Sequence, residues 1–113
     1  MQTVLETPSY IKASEAIFNE AERRAIITAV ATDPRLGDVI PRTGGFRKMR
    51  AGRSGMGKRG GARVIYIFRD ESLPVFLVMA YAKNEKGNLS QAEANQLRKR
   101  ADDLFENYRT QRR

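Results

Sequence analysis

Residues 62–68 read ARVIYIF and residues 75–81 read VFLVMAY. Both runs are rich in β-branched and aromatic residues, the composition that fits a pleated, packed surface. The first is apolar on both faces, so a central position in a sheet is expected. Asp70-Glu71-Ser72 makes the turn between them, and Pro74 stands at the entrance of the second run, where a strand tolerates a missing N–H. Working back, Gly44-Gly45 releases the chain into Phe46–Ala51 (FRKMRA). A period of two puts Phe46, Lys48 and Arg50 on one face and Arg47, Met49 and Ala51 on the other. These three strands are expected to form an antiparallel meander. Residues 52–61 (GRSGMGKRGG) join the first two, longer than hairpin loops usually are, which implies a task beyond turning the chain. Before the meander, residues 36–41 (LGDVIP) read as a connection carrying apolar plugs.

Outside this meander the period changes. Thr7-Pro8-Ser9 reads as a turn or helix start, and Tyr10, Ala13 and Ile17 then form an apolar stripe that Ile11 and Phe18 widen. A break is expected near Asn19. Ile26, Ala29 and Val30 give a second stripe that ends before Asp33-Pro34. At the other end, Ser90 stands three residues before Glu93, a capping box, with Leu89 placed to staple against Ala94. Leu97, Ala101, Leu104, Phe105 and Tyr108 then line one face of a C-terminal helix, and mixed charges cover the opposite face. Thr3–Glu6 (TVLE) adds a short edge strand. The expected order is β-α-α-β-β-β-α in one domain spanning residues 1–113. That is an α+β fold with a small antiparallel sheet, helices on one side of it, and a helix at the C-terminus.

The charge is not spread evenly. The chain carries 21 Lys+Arg against 13 Asp+Glu, a net charge of +8. Between Asp38 and Asp70 there is no acid, and nine bases stand there: Arg42, Arg47, Lys48, Arg50, Arg53, Lys58, Arg59, Arg63 and Arg69. The remainder of the chain is nearly neutral. Seven of the nine glycines fall in the same window, beside the charges. A solubilising surface intersperses both signs; a concentrated positive field attracts polyanions, most often nucleic acid. A plain solvent-facing basic loop is the competing reading.

Composition removes several chemistries. With no cysteine there is no disulfide and no thiolate, and with no histidine the usual zinc sets and the usual neutral-pH base are gone. Any catalysis must use Lys, Arg, Tyr, Asp, Glu, Ser or backbone groups, and no cofactor or metal is expected. No signal-like N-terminus and no membrane-length apolar run is present, so a cytoplasmic protein without membrane contact is expected.

The string LGDVI at 36–40 with TGGFRKMR at 43–50, then GKRGGARVIYIF at 57–68, Tyr81-Ala82-Lys83-Asn84-Glu85 and a Leu-Ser-capped last helix resembles the RelE/ParE superfamily of bacterial toxins. Within it, the Gly-rich basic hairpin is similar to the HigB-like branch. The resemblance covers about residues 36–108. It implies a RelE-like fold and a cognate antitoxin, HigA-like and DNA-binding, that neutralises the toxin and represses the shared operon. It also implies cleavage of messenger RNA in the decoding site of the ribosome, against 16S ribosomal RNA.

Metal-free RNA cleavage needs a base for the ribose 2′-OH, cationic donors for the crowded phosphate, and an acid for the leaving 5′ oxygen. In the family, two alternate residues of the first meander strand reach the substrate as lysines. The matching positions are Lys48 and Arg50, and the second departs from the pattern, because arginine is never deprotonated. Lys48 is then the candidate base, with a plain phosphate contact as the alternative. The family's phosphate-clamping arginine matches Arg63, for which a structural salt bridge is the alternative. Lys83 matches a further basic residue. Tyr81 is placed to stack on a base, and Arg47, Arg53, Lys58 and Arg59 to anchor messenger or ribosomal RNA. The acid is not assigned by these residues. Two other functions compete: a ParE-like toxin that poisons gyrase without RNA chemistry, and a simple RNA-binding module. The basic set Lys48, Arg50, Arg63 and Lys83 favours the nuclease over the first. The lack of an exposed aromatic platform disfavours the second.

Overall fold

The computed structural model describes residues 1–52, 61–83 and 88–111. Eight elements follow in order: β1 (Val4–Glu6), α1 (Pro8–Ile17), α2 (Glu20–Thr32), β2 (Asp38–Val39), β3 (Phe46–Ala51), β4 (Ala62–Ile67), β5 (Val75–Ala82) and α3 (Gln91–Gln111). They build an α+β domain around one five-stranded sheet of order β1-β5-β4-β3-β2. No helix among the described residues is long and apolar enough to cross a membrane. The hairpin loop expected at 52–61 lies almost wholly outside the described residues, as do Arg53, Lys58 and Arg59.

The helix starts are written in side-chain oxygens. Thr7 caps α1 by accepting from the Tyr10 N–H, and its hydroxyl donates to the Leu77 carbonyl of β5 at 2.9 Å. Asn19 and Glu22 exchange two 2.8 Å hydrogen bonds, a capping box that both breaks α1 from α2 and satisfies two orphan donors. Ser90 and Glu93 do the same for α3, at 3.1 and 2.9 Å.

Three features depart from the sequence reading. The sheet is mixed: β1 runs parallel to β5, pairing Val4 with Val75 and Glu6 with Leu77, while β5-β4-β3-β2 are antiparallel. The connection before the meander contains a short strand, β2, which pairs Asp38 with Lys48 and Val39 with Arg47. Helices cover both faces instead of one. Tyr10, Phe18, Ile26 and Val30 of the N-terminal helical segment pack on Met49, Val64, Tyr66 and Leu77, whereas Leu97, Ala101 and Phe105 of α3 pack on Phe46, Ile65, Ile67 and Phe76. The physical reason lies in β4 itself, buried at every position: an apolar strand on both faces must be covered on both.

One irregularity decides a side chain's fate. The β4–β5 register steps from Ile65↔Met79 to Tyr66↔Leu77, leaving Val78 as an extra residue on β5. Val75, Leu77 and Ala80 therefore share the α1/α2 face, and Phe76, Val78 and Tyr81 share the α3 face. Strict alternation would have put Tyr81 on the same side as Leu77.

Candidate nucleic-acid cleft

The site begins with the pleat of β3. Phe46 is fully buried under α3, and the same face continues through Lys48, half-buried, to Arg50, exposed. In register, Arg50 lies directly opposite Arg63 of β4, and Arg63 opposite Tyr81 of β5. Two like charges directly opposed across a ladder destabilise it. Neither arginine joins an ion pair among the described residues. Arg63 is only 8% exposed, and its guanidinium donates one hydrogen bond, to the Ala62 carbonyl at 3.1 Å. A nearly buried guanidinium facing a second one is an arrangement that an anion relieves.

Lys48, Arg50, Arg63 and Lys83 all line one open cleft of about 1030 Å³. Lys83 is exposed, and its backbone N–H donates to Gly61 O at 3.2 Å, closing the end of the β4–β5 pair. The lining also takes in Glu22, Ala25, Ile26 and Ala29 of α2, Leu36-Gly37-Asp38, and Met49 and Ala51 of β3. Alternation turns the Lys48, Arg50 and Arg63 side chains to the α3 face and leaves Met49 and Ala51 on the α2 face, so the cleft takes in both faces of this end of the sheet, with the cations on one, apolar residues on the other, and the carboxylates Glu22 and Asp38 at its margin. Sequence reading missed both acids. Asp38 sits across from Lys48 in the β2–β3 register, a relation invisible while β2 was read as a connection. Among the described residues no group of three or more potential ligands could hold a metal ion.

Two expected RNA contacts are placed elsewhere. Arg47 alternates to the α2 side, where its guanidinium donates to Gly37 O at 2.8 Å and Arg35 O at 3.3 Å, so it pins the loop that walls the cleft. Tyr81 does not present an open ring for stacking. It is 8% exposed and packs in the α3 core. Burial pushes its phenol pKa up, with the Arg63 charge opposing and Glu93 of the first α3 turn adding to the rise. The phenol thus stands opposite Arg63 across the β4–β5 ladder.

A second latch fixes the same loop. The buried Tyr66 hydroxyl accepts from the Gly37 N–H at 2.7 Å and donates to Pro34 O at 2.8 Å. Gly37 is required here by proximity: a Cβ would stand 2.9 Å from the Lys48 carbonyl oxygen. Both backbone groups of Gly37 are thus held, the N–H by a side chain of β4 and the carbonyl by a side chain of β3.

The family model of the RelE toxin of RelE/RelB toxin–antitoxin systems matches residues 13–112. The chain belongs to the RelE toxin family. A RelE-family member is the toxic half of a pair, so an antitoxin is its partner. The matched span contains α2, the whole meander and all of α3, and every residue named above as lining the cleft lies within it.

Proposed function

We propose that this RelE-family toxin is a ribosome-dependent endoribonuclease of the HigB-like branch, which cuts messenger RNA in the decoding site and so stops translation. The observation that carries the reading is the opposed Arg50–Arg63 pair, flanked by Lys48 and Lys83 on one cleft. In the reaction, the ribose 2′ oxygen attacks the adjacent phosphorus while its proton passes to the side-chain nitrogen of Lys48, the candidate base. Arg63 and Arg50 take up the charge that grows on the non-bridging oxygens. The bond from phosphorus to the 5′ oxygen breaks, and the ammonium of Lys83 supplies the proton to that oxygen. The products are a 2′,3′-cyclic phosphate and a 5′-hydroxyl end. This route uses only residues of the chain and no cofactor. The partner in the cell is a HigA-like, DNA-binding antitoxin.

The test is induction of wild type and Arg63→Ala in cells, with messenger 5′ ends mapped by primer extension. Wild type is expected to create cuts within translated regions that Arg63→Ala abolishes. Growth arrest by wild type without new ends would support the ParE-like, gyrase-directed reading instead.

A further inference from the structure

Of the bases gathered between Asp38 and Asp70, Lys48, Arg50 and Arg63 line the cleft, and Arg47 clamps Gly37. Arg53, Lys58 and Arg59 lie outside the described residues. Arg42 and Arg69 remain. Arg69 is engaged within the fold: its guanidinium stands 3.3 Å from Asp102 and 4.6 Å from the centre of the Phe105 ring. Arg42 is exposed and joins no ion pair among the described residues. Its backbone sets it apart. With φ at 64°, Arg42 is the only non-glycine among the described residues in the left-handed region.

Pro41 and Arg42 are the centre of the turn that leads into β3. A proline followed by a residue of positive φ is the pattern of a type II turn, whose second central place belongs to glycine or asparagine because a Cβ there crowds the following carbonyl. Arginine in that place costs stability, and residues that break a local rule in this way gather where a side chain has a function. The turn is also stiff. The hydroxyl of fully buried Thr43 donates to Ile40 O at 2.8 Å and accepts from the Phe46 N–H at 3.2 Å. It leans on α3, since a Cβ on Gly44 would stand 3.5 Å from the Ala101 Cβ. Arg98, one helical turn before Ala101, is exposed and also outside any ion pair among the described residues. Arg100 on the opposite flank of α3 turns away, its guanidinium 3.5 Å from the Ser9 hydroxyl of α1.

We infer that Arg42, with Arg98 on the adjoining turn of α3, is a separate contact that grips a backbone phosphate of the ribosomal RNA. This rests on the reading of the chain as a ribosome-dependent nuclease. Neither residue lines the cleft. The turn closes where the Ile40 N–H donates to Phe46 O, so Arg42 at its tip lies beyond the Phe46 end of β3. Arg50 stands near the other end, about 13 Å from Phe46 at about 3.3 Å per residue. The phosphate being cut is therefore held elsewhere. A message threads the concave cleft, whereas an exposed tip outside it meets the wall of the decoding site, which is ribosomal RNA. Arginine suits that contact, being always charged and able to grip a phosphate with two parallel N–H groups. The stiff turn fixes the root of the side chain before binding, so less chain freedom is lost on contact.

The experiment is binding of fluorescently labelled toxin to vacant small ribosomal subunits across a salt series, for wild type, Arg42→Gly, Arg42→Asn and Arg24→Ala, with thermal unfolding of each protein. Glycine and asparagine both accept the backbone of residue 42, so these two variants are expected to keep or raise the wild-type Tm. Each is nevertheless expected to bind about threefold to tenfold more weakly, and to lower the slope of log affinity against log salt by about 0.7–0.9, the loss of one phosphate contact. Arg24→Ala removes a charge from an exposed pair with Glu20 on α2 and is expected to stay within about twofold. Wild-type affinity and slope in Arg42→Gly would overturn the inference. An equal loss in Arg24→Ala would reduce the effect to net charge and overturn it as well. So would a Tm that falls in both Arg42 variants, which marks a structural residue, or a loss seen only once messenger is loaded, which assigns Arg42 to the message. Wild type that binds no subunits overturns the ribosome reading along with this contact; wild-type binding that Arg42→Gly leaves unchanged overturns the contact alone.

Discussion

Tyr66→Phe removes one oxygen and tests the latch on which the cleft wall depends. The hydroxyl makes two short hydrogen bonds in a buried setting, 2.7 Å from the Gly37 nitrogen and 2.8 Å to the Pro34 oxygen. Each contributes about 1 kcal/mol net, and leaving the buried Gly37 N–H without a partner costs about 1–3 kcal/mol by itself. These overlap, so the expected loss is about 2–3 kcal/mol, with no change in the apolar packing of the ring. For a domain of 113 residues, an unfolding entropy of about 2.1 cal/mol/K per residue converts this to a drop in Tm of about 8–13 °C. Thermal unfolding followed by circular dichroism measures it, and amide exchange at Gly37 localises it. A Tm within about 2 °C of wild type, with unchanged exchange at Gly37, would refute the latch.

Three further outcomes are expected. Phe105→Ala removes a fully buried ring that packs edge-on to Phe76 at 5.3 Å and carries Arg69 over its face at 4.6 Å; urea unfolding should register a loss of about 3–5 kcal/mol. Gly37→Ala should strip β2 from β3, because the new methyl meets the Lys48 backbone, and exchange of the Ile40 amide reports whether that pairing survives. Burial raises the phenol pKa of Tyr10, Tyr66 and Tyr81 above the ordinary value. The unfolded state therefore releases those protons first, and stability should be flat at neutral pH and fall once pH rises above about 10. Tyr10→Phe should flatten that alkaline fall, and an unchanged pH profile of Tm would count against it.

Much of this architecture was legible because it depends on local periods. The alternation of β3 alone put Lys48 and Arg50 on one face, since a strand turns each successive side chain to the opposite side. The capping box at Ser90–Glu93 and the stripe Leu97-Ala101-Phe105 likewise needed no partner to be recognised. The clustering of nine bases between two aspartates pointed to a polyanion before any geometry was known.

Other features depend on which segments meet. β2 is two residues long and becomes a strand only because β3 lies beside it. The side of the sheet that α3 covers follows from tertiary packing, because an apolar strand such as β4 accepts a helix on either face. Arg47 looked like one more cation for RNA until the sheet turned it toward the Gly37 and Arg35 carbonyls. The extra residue at Val78 rotated Tyr81 to stand beside Arg63, and no sequence period encodes such a bulge. The sequence by itself determined the elements and the sign of the cleft, through local periodicity and charge. The tertiary structure decided the opposition of Arg50 and Arg63, because register is set by contacts between strands distant along the chain.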